Sequence, residues 1–208
     1  MGNYNQFAGQ SIERLAALSD GIFAVAMTLL VLDLHAPAVS LIHSEADLRH
    51  TLLALAPKLA VYIMSFLTLG IFWVGQQTQL NLLQRCDRDL AWLNLGFLFC
   101  VTLMPFSTGL MGAFIEYRVS LLIYWGNILL LGIALLCTWR YAVRAGLVDK
   151  DLPIIAHKGV ERRIIIAQAL YAFGAALCVI NTYWSLGFIV LVQLNYVIAP
   201  KLGILRKI

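Results

Sequence analysis

The chain has 208 residues, 61% hydrophobic and 12% charged, with a mean hydropathy of +0.83 and a formal net charge of +4. A water-soluble domain carries about a quarter charged and roughly half apolar residues, so a soluble fold is excluded. Disorder is excluded too, because it requires low hydrophobicity. The composition is that of an integral membrane protein.

The N-terminal MGNYNQFAGQ is polar and lacks a basic region followed by an apolar core, so no cleavable signal peptide is expected. The first apolar segment, residues 12–34, is interrupted only by charges near its start and by Asp20 and Asp33. The connection that follows, 35–57, has room for only a short helix outside the membrane. Residues 59–84, 90–115 and 119–139 contain no Asp, Glu, Lys or Arg. Each exceeds the roughly 20 residues a helix needs to cross the hydrocarbon. They predict helices over 52–78, 89–114 and 118–144. The uncharged run 164–200 is too long for one helix and divides at Asn181-Thr182-Tyr183-Trp184, giving helices over 160–180 and 184–204. The expectation is a single all-α domain, 1–208, with six transmembrane helices. Strands are not expected, since period-2 alternation is missing and an open sheet cannot satisfy its backbone in lipid.

Lys and Arg placement predicts orientation. Six spans put both termini on one side, together with Arg14, Arg85, Arg88, the basic residues of 140–163, and Lys201, Arg206 and Lys207. That side holds 12 of the 15 basic residues, and Arg49, Lys58 and Arg118 face the other. The positive-inside rule makes both termini cytoplasmic. The charge thus reports topology and contact with anionic lipid, not nucleic acid. Cys86, Cys100, Cys137 and Cys178 form no C-x-x-C pair, so neither zinc nor redox chemistry is indicated.

Charge inside a membrane helix costs about 2.5–3.5 kcal/mol at the centre and marks function by default. The first span carries it in Arg14-Leu15-Ala16-Ala17-Leu18-Ser19-Asp20. Arg14 and Asp20 lie six residues apart, about 120° in rotation, and cannot pair along their own helix. Asp20 needs a partner elsewhere, and Trp73, Gln76, Gln77 and Asn94 lie at similar depth. Further along, Val25, Thr28, Leu29 and Leu32 form one stripe at helical spacing. An apolar stripe of this kind faces lipid or packs more often than it lines a pore.

The stretch RLAALSDGIFAVAMTLLVLDL, residues 14–34, resembles the first helix of the prokaryotic relatives of the lysosomal potassium channel, transmembrane protein 175. That helix carries an Arg-x-x-x-Phe-Ser-Asp motif before a Gly/Ala-rich apolar run with a Thr. IFWVGQQ, DLAWLNLGFLF and PFSTGL resemble the end of the family's second helix and the body of its third. Two positions depart from the pattern: Leu18 replaces the Phe, and Gln76 or Gln77 stands where a His is often found. The resemblance implies a potassium-permeable channel, modestly selective, with the first helix lining a central pore and no re-entrant filter loop. It implies a gate at Val25, Thr28 and Leu32, flanked by Leu29, and a motif network of Arg14, Leu18, Ser19, Asp20, Trp73, Gln77 and Asn94. Apolar rings of Val25 and Leu32 would gate by dewetting, and Thr28 hydroxyls would partly replace hydration. One helix cannot enclose a pore, so rotational symmetry must complete it; the family implies four copies.

The partners expected are K⁺ in transit, with other monovalent cations and protons as further candidates, and membrane lipid. No cofactor or resident metal is expected. The expected location is the cell membrane of a prokaryote. A competing reading is a secondary transporter or proton-coupled permease using Asp20 as a proton site. An intramembrane enzyme is disfavoured, because His35, His43, His50 and His157 all lie in connections or at helix ends.

Overall fold

The computed structural model describes residues 11–149 and 154–198. Helix α1, Ile12–Leu29, begins at Ser11, whose Oγ accepts from the Arg14 backbone N–H at 3.2 Å and satisfies one free donor of the first turn. It tightens into a 3-10 turn, Leu30–Asp33. Helix α2, Glu45–Ala54, is the short helix of the long connection; Ser44 caps it, accepting from Asp47 N at 3.1 Å, and none of its residues is buried. Helix α3, Ala56–Asn81, starts with Pro57 in its first turn, where a missing N–H costs nothing. The second span therefore begins at 56 instead of 52.

The third span, expected as one helix over 89–114, is two helices: α4, Arg88–Thr102, and α5, Met104–Ala113. Pro105 is the cause, since it removes an amide donor and crowds the carbonyl four residues back. Helix α6, Arg118–Arg144, has the expected bounds. Helix α7, Ile154–Ala176, starts earlier than the expected 160 and passes into a 3-10 turn, Leu177–Val179. Helix α8, Thr182–Ile198, starts two residues before the expected 184. Asn181 sets that start, its Oδ1 accepting from Tyr183 N at 2.7 Å. The expected end at 204 lies outside the described residues.

Among the described residues, five segments are long and apolar enough to cross a bilayer: Ile12–Asp33, Ala56–Asn81, Arg88–Ala113, Arg118–Arg144 and His157–Val179. The apolar α8 is the shorter sixth. This is an all-α, multi-pass membrane architecture. The β-structure among the described residues is one isolated bridge, Leu83 to Val148, which ties the α3–α4 connection to the chain leaving α6.

Packing follows a central layer in which α1 lies on α3 and α4, α6 lies between α4 and α7, and α8 closes on α3 and α7. Phe23, Leu30, Met64, Phe97, Leu131 and Ile189 are buried at the centre. Phe97 holds Phe23 and Phe72 at centroid distances of 6.0 and 6.4 Å. Polar groups knit the middle of the bundle. Thr108 donates to Ser65 at 2.8 Å, Tyr124 meets Thr68 at 3.1 Å, and the Gln193 amide donates to Thr68 at 2.6 Å. Hydrogen bonds of this kind join α5, α3, α6 and α8 where the hydrophobic effect between helices is weak. The closest approach that glycine permits among the described residues is at Gly132, where a Cβ would fall on the Gln168 amide, which donates to Ile128 O at 3.3 Å.

Candidate pore helix and its polar anchor

Helix α1 has two unlike faces. Leu15, Ser19, Phe23, Ala26 and Leu30 recur every three to four residues and are buried against the bundle. About a third of a turn round from them stand Leu18, Val25, Leu29 and Leu32, exposed by 45%, 58%, 43% and 64%. Thr28 is also exposed, and its hydroxyl lies 2.9 Å from Ala24 O and 2.8 Å from Val25 O. The proton is therefore turned back to the helix, and the remaining lone pairs of Oγ1 are left outward.

Two hydrogen-bonded groups hold the end of α1 that carries the motif. Asp20 Oδ1 accepts from Trp73 Nε1 at 2.8 Å and from Gln77 Nε2 at 2.6 Å. Trp73 and Gln77 are four apart, so one face of α3 supplies both donors. Deeper in the bundle, Gln76 Nε2 donates to Ser19 Oγ at 3.0 Å and to Asn94 Oδ1 at 2.6 Å. Asn94 Nδ2 reaches Ser19 Oγ at 3.4 Å, and Ser19 donates back to Leu15 O at 2.8 Å. Ser19, Gln76 and Asn94 are all buried, so α1, α3 and α4 meet at one polar point. Gln76 belongs to this point as fully as Asn94 does. The expected network named Gln77 and omitted Gln76; in the structure both take part, on different partners.

Arg14 and Leu18, expected in the network, stand outside these contacts. Arg14 is exposed and its guanidinium has no partner among the described residues, while Leu18 joins the exposed apolar face. The reason is rotational: Ser19 faces the bundle, and neither Arg14 nor Leu18 shares its face.

Below the anchor, Asp87 caps α4, accepting from Leu90 N at 2.8 Å and from Tyr141 OH at 2.7 Å. Burial and the neighbouring Asp87 push the Cys86 thiol up to about 11, so it is inert at neutral pH. No group of three or more His, Cys, Asp or Glu side chains able to hold a metal occurs among the described residues.

A profile of the family described as endosomal/lysosomal potassium channel TMEM175 matches residues 14–105. A protein named as a potassium channel in Chamaesiphon minutus is 30% identical over 179 residues, covering 85% of this chain and 84% of its own. One named as a potassium channel in Streptomyces collinus is 29% identical over 188 residues, covering 88% and 90%. The human protein named endosomal/lysosomal proton channel TMEM175 is 25% identical, and this chain spans 41% of its length. The crystal structure of a lysosomal potassium-selective channel TMEM175 homologue from Chamaesiphon minutus superposes with a TM-score of 0.78 at 26% identity, over 89% of this chain and 96% of that one. The match begins at Arg14 and takes in the anchor residues of α1, α3 and α4, and the chain belongs to the TMEM175 family of channels.

Proposed function

We propose that the protein is a potassium-permeable cation channel, modestly selective for K⁺, in which α1 of each of four identical subunits lines a central pore. The observation that carries this reading is the outer face of α1. A helix polar-anchored on one side leaves Val25, Leu29 and Leu32 exposed on the surface of its own bundle, Val25 and Leu29 beside a groove that reaches Pro105. Placed around a shared axis, these side chains form a constriction too apolar to stay wet, which closes the pore without a moving plug. Thr28 supplies the ring's side-chain oxygens, and their weak substitution for water favours K⁺, which is less costly to dehydrate than Na⁺. The names of the prokaryotic relatives support potassium as the main ion, and that of the human relative supports protons as a further one.

In this reading the 208 residues form one six-helix domain of a prokaryotic cell membrane, both termini are cytoplasmic, and Arg14 pairs across subunits or with lipid phosphate. A secondary transporter built on Asp20 is the weaker reading. Asp20 is already bonded to Trp73 and Gln77, and the break at Pro105 has no evident counterpart in the other half of the chain.

The deciding experiment is reconstitution into liposomes with K⁺ against Na⁺ flux, followed by planar-bilayer recording. Discrete current steps larger for K⁺ than for Na⁺ are expected. Smooth, saturable uptake without current steps would overturn the channel reading.

A further inference from the structure

Behind α3, on the side away from α1, the bundle opens into a crevice of about 300 Å³ between α3, α6, α7 and α8. Its walls are mostly apolar, with Ile71 and Val74 from α3, Leu135 from α6 and Ala167 from α7. One end is polar. Arg163 stands there with its guanidinium 5.9 Å from the centre of the Tyr196 ring. The ion pair found among the described residues is Arg140 with Glu161, at 3.3 Å, which leaves Arg163 without a carboxylate. Two amide oxygens in the same walls, Gln79 Oε1 and Gln168 Oε1, have no hydrogen-bond donor among the described residues.

Arg163 lies six residues into the membrane-crossing segment His157–Val179, about 9 Å along the helix. It is also the last charged residue before the uncharged run that starts at Ile164, which puts it near the boundary between headgroups and acyl chains. An uncompensated guanidinium at this level, beside an apolar trough, matches a molecule with a negative head and a hydrocarbon tail. The chain is a membrane protein, and the bilayer itself supplies such molecules. Basic pockets between transmembrane helices hold acidic lipid headgroups for this reason.

The geometry points to a binding site for an acidic phospholipid: phosphate on Arg163 and an acyl chain along Val74, Ala167 and Tyr171. The site lies on the opposite side of α3 from Trp73 and Gln77, so the occupant would sit behind the helix that anchors α1.

The test uses the full chain in a neutral detergent, titrated with dioctanoyl phosphatidylglycerol while the melting midpoint is followed. A ligand that binds only the folded state raises that midpoint saturably. Phosphatidylglycerol should do so, and dioctanoyl phosphatidylcholine should not. Arg163→Gln should weaken the apparent affinity about tenfold, Arg163→Lys less, and Arg162→Gln, on an exposed neighbour outside the crevice, not at all. Ala167→Trp should fill the trough and abolish the response while keeping every charge, which decides the matter should Arg163→Gln fold poorly. Equal shifts with the two lipids, or an unchanged titration in Ala167→Trp, would overturn the site. Oleate reproducing the phosphatidylglycerol titration would overturn phospholipid as its occupant. The readout is melting, so these outcomes stand apart from whether the protein conducts.

Discussion

The inner and outer faces of α1 are drawn from the same residue types yet stand in different environments. Inward, Phe23 and Leu30 are 2% and 0% exposed and Ser19 is fully bonded. Outward, Val25 and Leu32 remain more than half exposed, although they are no more polar. In water that contrast would mark an aggregation surface. In a membrane an apolar exposed face costs nothing against lipid, so hydrophobicity alone cannot say what it meets. The polar anchor is the distinguishing feature: it fixes the rotation of α1 and so determines which residues point away from the bundle.

The sharpest way to break the comparison is to damage the inner face. Phe23→Ala removes a ring packed on Phe97 and leaves a cavity, a loss of about 3–5 kcal/mol when the site cannot collapse. Val25→Ala, on the outer face, should shift melting far less. Thermal unfolding of the two variants in the same detergent checks this, and comparable losses would mean that the faces are not distinct within one subunit. Next in size are the anchor variants. Asn94→Leu leaves the Gln76 amide without its 2.6 Å acceptor, and Asp20→Ala strips Trp73 and Gln77 of theirs. Asn94→Leu should cost about 1–3 kcal/mol, because the Gln76 amide it strands is buried, and Asp20→Ala less, because its donors are partly exposed. Asp20→Ala should also lower the yield of oligomer on size-exclusion chromatography; an unchanged yield and melting would detach the anchor from assembly.

Much of this was legible in the residues. Uncharged runs located the spans, and the missing intrahelical partner of Asp20 pointed to Trp73, Gln76, Gln77 and Asn94 at similar depth, of which Trp73 and Gln77 bond to it and Gln76 and Asn94 bond to Ser19 instead. Pro105 was visible, but its consequence was not, since a proline can kink a helix or end it. The division of labour between Gln76 and Gln77 was hidden for a related reason. Hydropathy gives depth in the membrane, while rotation depends on what each helix packs against. The spacing of Trp73 and Gln77 was the available signal: four apart, they must share a face, and Gln76 need not. The crevice behind α3 could not be read at all, because it is made by four helices whose mutual placement no local pattern encodes.

Functional substitutions sharpen the comparison from the outer side. Val25→Asn and Leu32→Asn would set amides in the constriction, help water bridge it, and raise open probability or conductance several-fold with assembly intact. Leu30→Asn, buried at 0% exposure, should instead lower stability with no gain in current. Ala24→Asn serves as a second control on the exposed arc flanking the stripe. Should Leu30→Asn open the channel while Val25→Asn and Leu32→Asn leave it unchanged, the pore face is rotated from the one assigned.

The smallest effect is expected at Thr28. Its hydroxyl proton is held by Ala24 O or Val25 O, so the oxygen can offer lone pairs to a passing cation but no reorienting dipole. In the proposed pore such a ring would replace hydration weakly, and its selectivity would rest on the lower dehydration cost of K⁺, not on a fitted cage. Thr28→Val keeps the shape and removes the oxygen, so it should reduce the K⁺ to Na⁺ permeability ratio while melting and oligomer size stay the same. Thr28→Ser keeps the oxygen and loses a methyl, so it should retain the ratio. Reversal potentials under bi-ionic conditions measure both. A ratio unchanged in Thr28→Val would move discrimination away from side-chain oxygens, to the apolar rings of Val25, Leu29 and Leu32, whose narrowness would then have to favour the more easily dehydrated ion without any ligand at all.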